Sequence, residues 1–195
     1  MDKENFVDGF TTNPTLMKSS GITDYLGFAR EVLSGVKEKS ISFEVFSDDL
    51  DDMYRQAHIL ADLGENVWVK IPVSNTKREY TYPIIKKLSN EGIKLNITAV
   101  YSAYQTKKIL KLLNNKTKVI ISIFAGRAGD AGKDPVQEIV KSIKMAKKYK
   151  NVEILWASVR EPYNYLQAKQ LGCHIITVPP ATIKKIESFG KSFDQ

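Results

Sequence analysis

The stretch Val67-Trp68-Val69-Lys70-Ile71-Pro72 places one lysine inside an otherwise apolar strand. An ammonium ion in a buried strand is costly unless a carboxylate pairs with it, and Glu44 is the candidate partner. Alternatively, Lys70 is kept neutral enough to act as an amine nucleophile, which would mean Schiff-base chemistry on a carbonyl compound. The stretch alone leaves both interpretations open.

The bulk composition is that of one soluble globular domain. The chain has 195 residues, of which 43% are hydrophobic and 26% charged. No apolar run approaches the roughly 18 residues that cross a bilayer, and the N-terminal stretch lacks the pattern of a signal peptide. Cys173 is the only cysteine, which excludes an internal disulfide, and the two histidines are too few for a histidine-based metal centre. We therefore predict a cytoplasmic location, with no membrane partner and no metal.

The net charge of +7 raises the question of a nucleic-acid partner. Only five of the 29 basic residues are arginine, and the lysines are spread over segments with helical periodicity. Aromatic residues are not interleaved with them as a base-stacking surface requires. The charge pattern favours solvated helix faces, so we expect no nucleic-acid partner.

Short apolar segments alternate with longer amphipathic ones along the chain. The predicted strands are Phe6–Thr12, Ile41–Phe46, Asn66–Ile71, Ile93–Thr98, Val119–Ser122, Glu153–Ala157 and His174–Val178. The predicted helices are Asp24–Val36, Asp48–Leu63, a segment beginning near Pro83, Ser102–Leu113, Pro135–Tyr149, Pro162–Gln170 and Ala181–Phe189. This order predicts an α/β fold with a parallel sheet covered by helices. The segment Thr11–Thr15 is predicted as a turn.

The polar residues of the predicted strands favour a closed barrel over a doubly wound sheet. No strand is followed by the glycine-rich fingerprint of dinucleotide folds. Six strands carry polar side chains near their C-terminal ends, at alternate positions that share one face: Thr11 and Asn13, Ser42 and Glu44, Lys70, Asn96 and Thr98, Ser122, and Ser158 and Arg160. In a (β/α)8 TIM barrel these faces converge at the C-terminal mouth, where active sites lie.

Five segments in the same order resemble the transaldolase family, which includes the fructose-6-phosphate aldolases. They are Gly9-Phe10-Thr11-Thr12-Asn13-Pro14-Thr15, Val69-Lys70-Ile71-Pro72, Gly92-Ile93-Lys94-Leu95-Asn96-Ile97-Thr98, Ile121-Ser122-Ile123-Phe124-Ala125-Gly126-Arg127 with Asp130, and Trp156-Ala157-Ser158-Val159-Arg160. The resemblance implies a class I aldolase-type (β/α)8 barrel. Ile123 stands where the family has proline.

The resemblance also implies a role for each site residue. Lys70 would form the Schiff base, while Glu44 and Thr98 would position a water for dehydration and hydrolysis of the carbinolamine. Substrate binding would fall to Asn13, Asn96 and Ser122 at the three-carbon fragment, Phe124 in the pocket wall, and Arg127, Ser158 and Arg160 at the phosphate. The alternatives are a strand-ending turn for Asn13, a satisfied core hydroxyl for Ser122 and surface positions for the arginines.

The implied activity is that of a transaldolase of the pentose phosphate pathway, which moves a dihydroxyacetone unit from fructose 6-phosphate to erythrose 4-phosphate. No metal or organic cofactor is implied, and the family suggests a homo-oligomer, a pentamer or decamer. The fructose-6-phosphate aldolases carry glutamine at the position of Glu44 and tyrosine at that of Phe124. These two residues favour transfer of the dihydroxyacetone unit to an acceptor over simple aldol cleavage. Simple cleavage, the reaction of a fructose-6-phosphate aldolase, is the first alternative.

One departure from the family concerns its first strand, which carries an aspartate that acts as general acid and base. This chain begins near the family's second strand, and Asp8 matches a residue of that second strand instead. We therefore expect residues 1–195 to form a single transaldolase-like barrel domain that lacks the first strand and part of the C-terminus. The departure motivates a second alternative, a non-catalytic sugar-phosphate-binding or scaffold protein.

Overall fold

Seven parallel strands form one curved sheet in a computed structural model that describes residues 6–192. The strands are β1 (Gly9–Thr11), β2 (Ser40–Glu44), β3 (Val67–Pro72), β4 (Leu95–Val100), β5 (Val119–Phe124), β6 (Val152–Ala157) and β7 (Ile175–Ile176). Each pairs with its neighbours in chain order, and every pairing is parallel. The sheet is a partial (β/α)8 barrel, which confirms the predicted fold class.

Helices connect successive strands. They are α1 (Pro14–Ser19), α2 (Tyr25–Gly35), α3 (Leu50–Ala61), α4 (Tyr82–Asn90), α5 (Ala103–Leu110), α6 (Ala125–Asp130), α7 (Val136–Ala146), α8 (Tyr163–Gln170) and α9 (Pro180–Glu187). Side-chain caps fix several starts: Asp24 accepts a hydrogen bond from the Gly27 N–H at 2.9 Å, and Ser102 and Gln105 form a reciprocal capping box. These caps fix the residues at which α2 and α5 begin.

The two faces of the sheet pack differently. The side chains that point toward the helices are aliphatic and aromatic residues such as Phe43, Val69 and Ile121, all fully buried. The opposite face encloses a smaller apolar cluster of Trp68, Ile120, Leu155 and Ala157. Trp68 and Lys70 share this interior face, as the period-two alternation predicts.

The first and last described strands approach each other at the C-terminal end of the sheet. The hydroxyls of Thr11 and Thr177 are 3.0 Å apart and share a hydrogen bond. Thr11 ends β1, and Thr177 directly follows β7, so the contact joins the two ends of the strand order. It brings the polar residues of β1 toward those of the other strands around one mouth.

The structure corrects the prediction in two places. The predicted turn Thr11–Thr15 is instead the end of β1, two connecting residues and the start of α1, because Pro14 takes the first helical position, where its missing N–H costs nothing. Helix α6 was not predicted, because its six residues, which are mostly glycine and alanine, carry no apolar periodicity. Strands β1 and β7 are also shorter than predicted.

Residues 1–5 and 193–195, which the single-domain expectation includes, lie outside the described residues. Between residues 6 and 192, no helix combines the length and the apolarity needed to cross a membrane.

Candidate active site

Lys70 lies in the central part of the sheet, on the interior face and near the C-terminal end of β3. Its side chain is 10% exposed. In the strand register, Lys70 sits between Glu44 of β2 and Asn96 of β4, so these side chains emerge at the same level. The parallel sheet therefore brings together residues that are far apart in the sequence.

Two oxygen acceptors hold the Lys70 amine. The Nζ atom lies 2.8 Å from the Glu44 carboxylate and donates a hydrogen bond to the Thr12 carbonyl at 3.0 Å. The Glu44 side chain is 15% exposed, so the pair is shielded from bulk water. At 2.8 Å the carboxylate can take a proton from the amine directly or orient it as an ammonium ion. The ion pair that the sequence left open as one interpretation of Lys70 is thus present, and it is compatible with either role.

A polar chain crosses the interior beside Lys70. The Asn96 side-chain amide donates to the Ser42 hydroxyl at 3.0 Å, and its carbonyl oxygen accepts a hydrogen bond from Ser122 at 2.6 Å. All three side chains are buried. This chain fixes the orientation of the Asn96 amide and leaves it one further N–H and one further lone pair for hydrogen bonding.

Thr98 lies two residues beyond Asn96 on the same strand and is 1% exposed. Within the described part of the chain, its hydroxyl has no hydrogen-bonding partner. A buried hydroxyl without a partner costs free energy of about 1–3 kcal/mol. A polar group in this state is a candidate contact for a small polar molecule that enters the mouth.

Asn13 is half-buried between the end of β1 and the start of α1. Its backbone carbonyl accepts the Met17 N–H at 3.2 Å and so begins the helix. The backbone at Asn13 therefore starts a helix instead of the strand-ending turn that was its alternative role.

A second group of polar residues lies where β5 and β6 end. Arg160 forms a bidentate ion pair with Asp130, with Nε 3.0 Å from one carboxylate oxygen and Nη2 2.5 Å from the other. This hydrogen bonding holds the pKa of the Asp130 carboxyl below its usual value and raises the pKa of Arg160. Arg127 instead lies over the Phe124 ring, with its guanidinium carbon 5.2 Å from the ring centre. Arg160 is therefore already oriented by a carboxylate, whereas Arg127 is placed by an aromatic ring.

Gly126 lets this second group form. A Cβ atom at Gly126 would lie 1.6 Å from the carbonyl oxygen of Ser158, well inside any allowed contact. Ser158 itself has a positive φ of 64°, a conformation that non-glycine residues seldom adopt. The start of α6 and the end of β6 are thus pressed together, which places Ser158 and the two arginines in one region.

Tyr101 reaches the mouth through an irregularity in β4 that the sequence did not reveal. Ala99 has a positive φ of 56°, and the register shifts so that Val100, not Ala99, pairs with Ile123. The extra residue reverses the alternation, so Val100 packs among the helices and Tyr101 turns toward the mouth. There it meets Phe124 edge-on, with ring centres 5.8 Å apart.

The structure thus joins Lys70, Glu44 and Asn96 with Ser122 into one buried cluster, and places the arginines and Ser158 in a separate group. Phe124 lies two residues beyond Ser122 on β5 and connects the two. Reasoning from the sequence placed Ser42 on this face without giving it a role, and it missed two further residues: Thr12, whose carbonyl accepts from Lys70, and Tyr25, whose hydroxyl accepts the Glu44 N–H. Among the described residues, no group of three or more histidine, cysteine, aspartate or glutamate side chains is placed to hold a metal ion.

Solved structures of low sequence identity share the fold. A mandelate oxidase carrying an FMN adduct superposes with a TM-score of 0.56 at 11% identity, covering 83% of this chain and 54% of that one. The EAL domain of Mycobacterium smegmatis DcpA gives a TM-score of 0.53 at 19% identity, covering 83% and 76%. These likenesses place the chain in the class of parallel α/β barrels.

The sequence comparisons define the family within this class. The family model for transaldolase and fructose-6-phosphate aldolase matches residues 1–195, and the chain belongs to this family. A probable transaldolase of Dehalococcoides mccartyi is 36% identical over 178 residues, which are 91% of this chain and 79% of that protein. Probable transaldolases of a Thermoanaerobacter species and of Methanococcus maripaludis are 36% and 35% identical, and cover 89% and 92% of this chain and 76% and 80% of their own lengths.

Proposed function

We propose that the chain is a transaldolase that carries a dihydroxyacetone unit from fructose 6-phosphate to erythrose 4-phosphate, as a Schiff base on Lys70, in the pentose phosphate pathway. The observation that supports this most directly is the Lys70–Glu44 contact of 2.8 Å on the interior face of the barrel. It pairs a shielded amine with a carboxylate that can accept and return its proton. The printed names of the relatives, probable transaldolases, support the same reaction.

The proposed chemistry begins at the ketose carbonyl. The Lys70 nitrogen attacks this carbon after giving a proton to Glu44. A proton then moves from the new ammonium nitrogen to the alkoxide oxygen, and the carbinolamine so formed loses its hydroxyl as water when Glu44 returns the proton. The resulting iminium takes up the electron pair of the bond between the neighbouring hydroxylated carbon and the next carbon of the sugar as that bond breaks. This releases glyceraldehyde 3-phosphate, while the three remaining carbons stay on Lys70 as an enamine. We assign Glu44, the carboxylate in contact with the amine, as the group that takes the proton from the hydroxyl that becomes the aldehyde oxygen of the released product.

The remaining polar residues fit the ligand that this reaction needs. The unused hydrogen-bonding capacity of Asn96 and the unpartnered hydroxyl of Thr98 suit the hydroxyls of the three-carbon fragment and a reacting water. Ser122 holds the Asn96 amide for this purpose. We assign Asn13 to the same fragment, and Ser158 with the two arginines to the sugar phosphate.

The decisive test is reductive trapping. The chain is incubated with fructose 6-phosphate and borohydride, and peptide mass spectrometry then locates any added mass. We expect a reduced sugar adduct on the peptide that contains Lys70. An unmodified Lys70 under conditions that keep the protein folded would contradict the proposal and favour a non-catalytic sugar-phosphate-binding protein.

A fructose-6-phosphate aldolase is the second candidate, and one observation favours it. Phe124 has no hydroxyl with which to protonate the enamine, but Tyr101 lies edge-on against it and brings a phenol to the same region. Release of glyceraldehyde 3-phosphate without an acceptor aldehyde, at a rate matching that with erythrose 4-phosphate, would support this second candidate. Acceptor-dependent release is the result expected for a transaldolase.

Replacing Arg127 by glutamine should weaken binding of the phosphorylated substrate. A charge-assisted hydrogen bond contributes about 1.5–3 kcal/mol, so we expect KM for fructose 6-phosphate to rise roughly 10- to 100-fold. The rate of trapping with unphosphorylated dihydroxyacetone should stay within about twofold. Arg55→Gln is the matched control, because Arg55 is an exposed helix arginine paired with Asp52 and should leave KM unchanged. Equal losses with both ketoses would contradict the assignment of Arg127 to the phosphate.

The cytoplasmic location and the homo-oligomer, a pentamer or decamer by family analogy, stay predictions. Sedimentation of the purified chain would test the oligomeric state.

A further inference from the structure

The hydroxyl of Tyr25 contacts both residues that hold the Lys70 amine. It accepts a hydrogen bond from the backbone N–H of Glu44 at 2.8 Å, and it also hydrogen-bonds the side chain of Thr12. These are the residues whose carboxylate and backbone carbonyl accept from Lys70 Nζ, at 2.8 Å and 3.0 Å. One phenol at the start of α2 is therefore joined to the ends of both β1 and β2.

Thr12 is itself held against β2 by two hydrogen bonds. The Thr12 hydroxyl donates to the Ser42 carbonyl at 3.0 Å, and the Thr12 N–H donates to the same oxygen at 3.0 Å. The Tyr25 phenol thus accepts the Glu44 N–H and is joined to a threonine that is itself held by Ser42. The contacts run from Glu44 through Tyr25 and Thr12 to Ser42.

The surroundings of Tyr25 keep this arrangement rigid. The ring packs edge-on against Phe43 and Phe46, with centres 6.1 Å and 4.3 Å away. Burial raises the pKa of Tyr25 to about 12, so the phenol stays protonated at neutral and mildly alkaline pH. The ring cannot rotate away from the strand ends without displacing two aromatic neighbours.

We propose that Tyr25 is a positioning residue for Lys70, one that fixes Thr12 and Glu44 so that the amine is held at a set distance from both acceptors. The inference rests on the proposed function and adds to it the residue that aligns the nucleophile. Alignment matters because a misplacement of about 1 Å at a reacting group can lower a rate by about 100-fold.

The variant Tyr25→Phe tests this role, because it removes the hydroxyl and keeps the ring between Phe43 and Phe46. The measurement is single-turnover borohydride trapping of fructose 6-phosphate on Lys70, over a range of ketose concentrations. We expect the trapping rate at saturating ketose to fall about 10-fold, with the half-saturating concentration within about twofold of the unsubstituted chain. The trapping rate at saturating ketose reports on the alignment of Lys70. The half-saturating concentration reports on substrate binding, and it should hold because the variant leaves the arginines unchanged.

Tyr54→Phe is the matched control. Tyr54 also carries a hydrogen-bonded hydroxyl, which donates to Glu91 at 2.7 Å, but it lies on the outer helix α3. Its loss should leave the trapping rate unchanged. A Tyr25→Phe chain that traps at the rate of this control would overturn the inference.

The variant Thr12→Val gives an independent test, because it removes the hydroxyl that hydrogen-bonds Tyr25. We expect a loss similar to that of Tyr25→Phe, and a double variant no slower than the slower single variant, since both changes break the same chain. Losses that multiply in the double variant would overturn the inference. A folded unsubstituted chain that forms no adduct would overturn the proposed function, and this inference with it, whereas an adduct that Tyr25→Phe does not slow would overturn the inference alone.

Discussion

Replacing Lys70 by methionine is expected to abolish the sugar adduct and to lower the transfer rate by roughly three orders of magnitude or more, the scale of loss when a covalent nucleophile is removed. Methionine has nearly the length of lysine and fits the apolar interior beside Trp68. It cannot form a Schiff base, however. Reductive trapping followed by peptide mapping measures the adduct, and a coupled assay of glyceraldehyde 3-phosphate measures the transfer.

The same variant leaves the Glu44 carboxylate without its partner. Breaking one side of a buried ion pair costs about 3–5 kcal/mol, so a fall in stability could mimic a chemical loss. The double variant Lys70→Met with Glu44→Gln removes the unpaired carboxylate charge. We expect its melting temperature to return most of the way to that of the unsubstituted chain, while the adduct stays absent.

The control for Lys70 is Lys94→Met, at the opposite end of the sheet just before β4, where the amine contacts the Glu65 carbonyl. This change should leave both adduct and transfer intact. An adduct that survives in the Lys70→Met chain, or disappears in the Lys94→Met chain, would contradict the assignment of the nucleophile.

Substituting Gly126 by alanine is expected to give the second large effect, this time on stability. The new methyl group would lie 1.6 Å from the Ser158 carbonyl oxygen and 3.0 Å from Cγ of Arg160. The first neighbour is backbone and cannot swing aside, so α6 must separate from the end of β6. We expect a loss of about 3 kcal/mol, the upper end of the usual range for overpacking. For a chain of this size that corresponds to a fall in Tm of roughly 6–12 °C, measured by thermal unfolding.

Gly129→Ala is the matched control on the same helix. An added Cβ at Gly129 would have no atom within 4 Å. Alanine is favoured over glycine inside a helix by about 1 kcal/mol, so this change should leave Tm unchanged or raise it. A similar fall in Tm for Gly126→Ala and Gly129→Ala would contradict the prediction, because it would show that the close approach to Ser158 does not make Gly126 more sensitive to an added methyl group.

Much of the fold is readable from the sequence because its core depends on period-two alternation. Strand β3 shows this clearly: Val69 and Ile71 point toward the helices, and Trp68 and Lys70 toward the interior, as the pattern predicts. Helix α6 escaped prediction because packing against β6, rather than an apolar stripe, determines it. The length of β1 escaped prediction because it depends on where β2 begins to pair, at Ser40.

The candidate site was predictable where a polar residue interrupts an apolar strand. Lys70, Asn96 and Ser122 stand out in this way, and the structure gathers them as the shared strand register requires. Tyr25 gave no such signal, because a tyrosine at the start of an amphipathic helix is ordinary. The engagement of Arg160 by Asp130 likewise depends on a three-dimensional approach that no local pattern encodes.

The left-handed residue Ala99 has a consequence for how this barrel can change in length. Deleting that single residue would leave a regular strand in which Val100 still pairs with Ile123, so the aliphatic side chain would stay under the helices and the phenol at the entrance. Deleting Ala99 together with Val100 would instead bring Tyr101 opposite Ile123 and place the phenol under the helices. The segment between Thr98 and α5 can therefore lose one residue without exchanging its faces but not two, and the chemistry at the rim depends on a count of residues as much as on their identity.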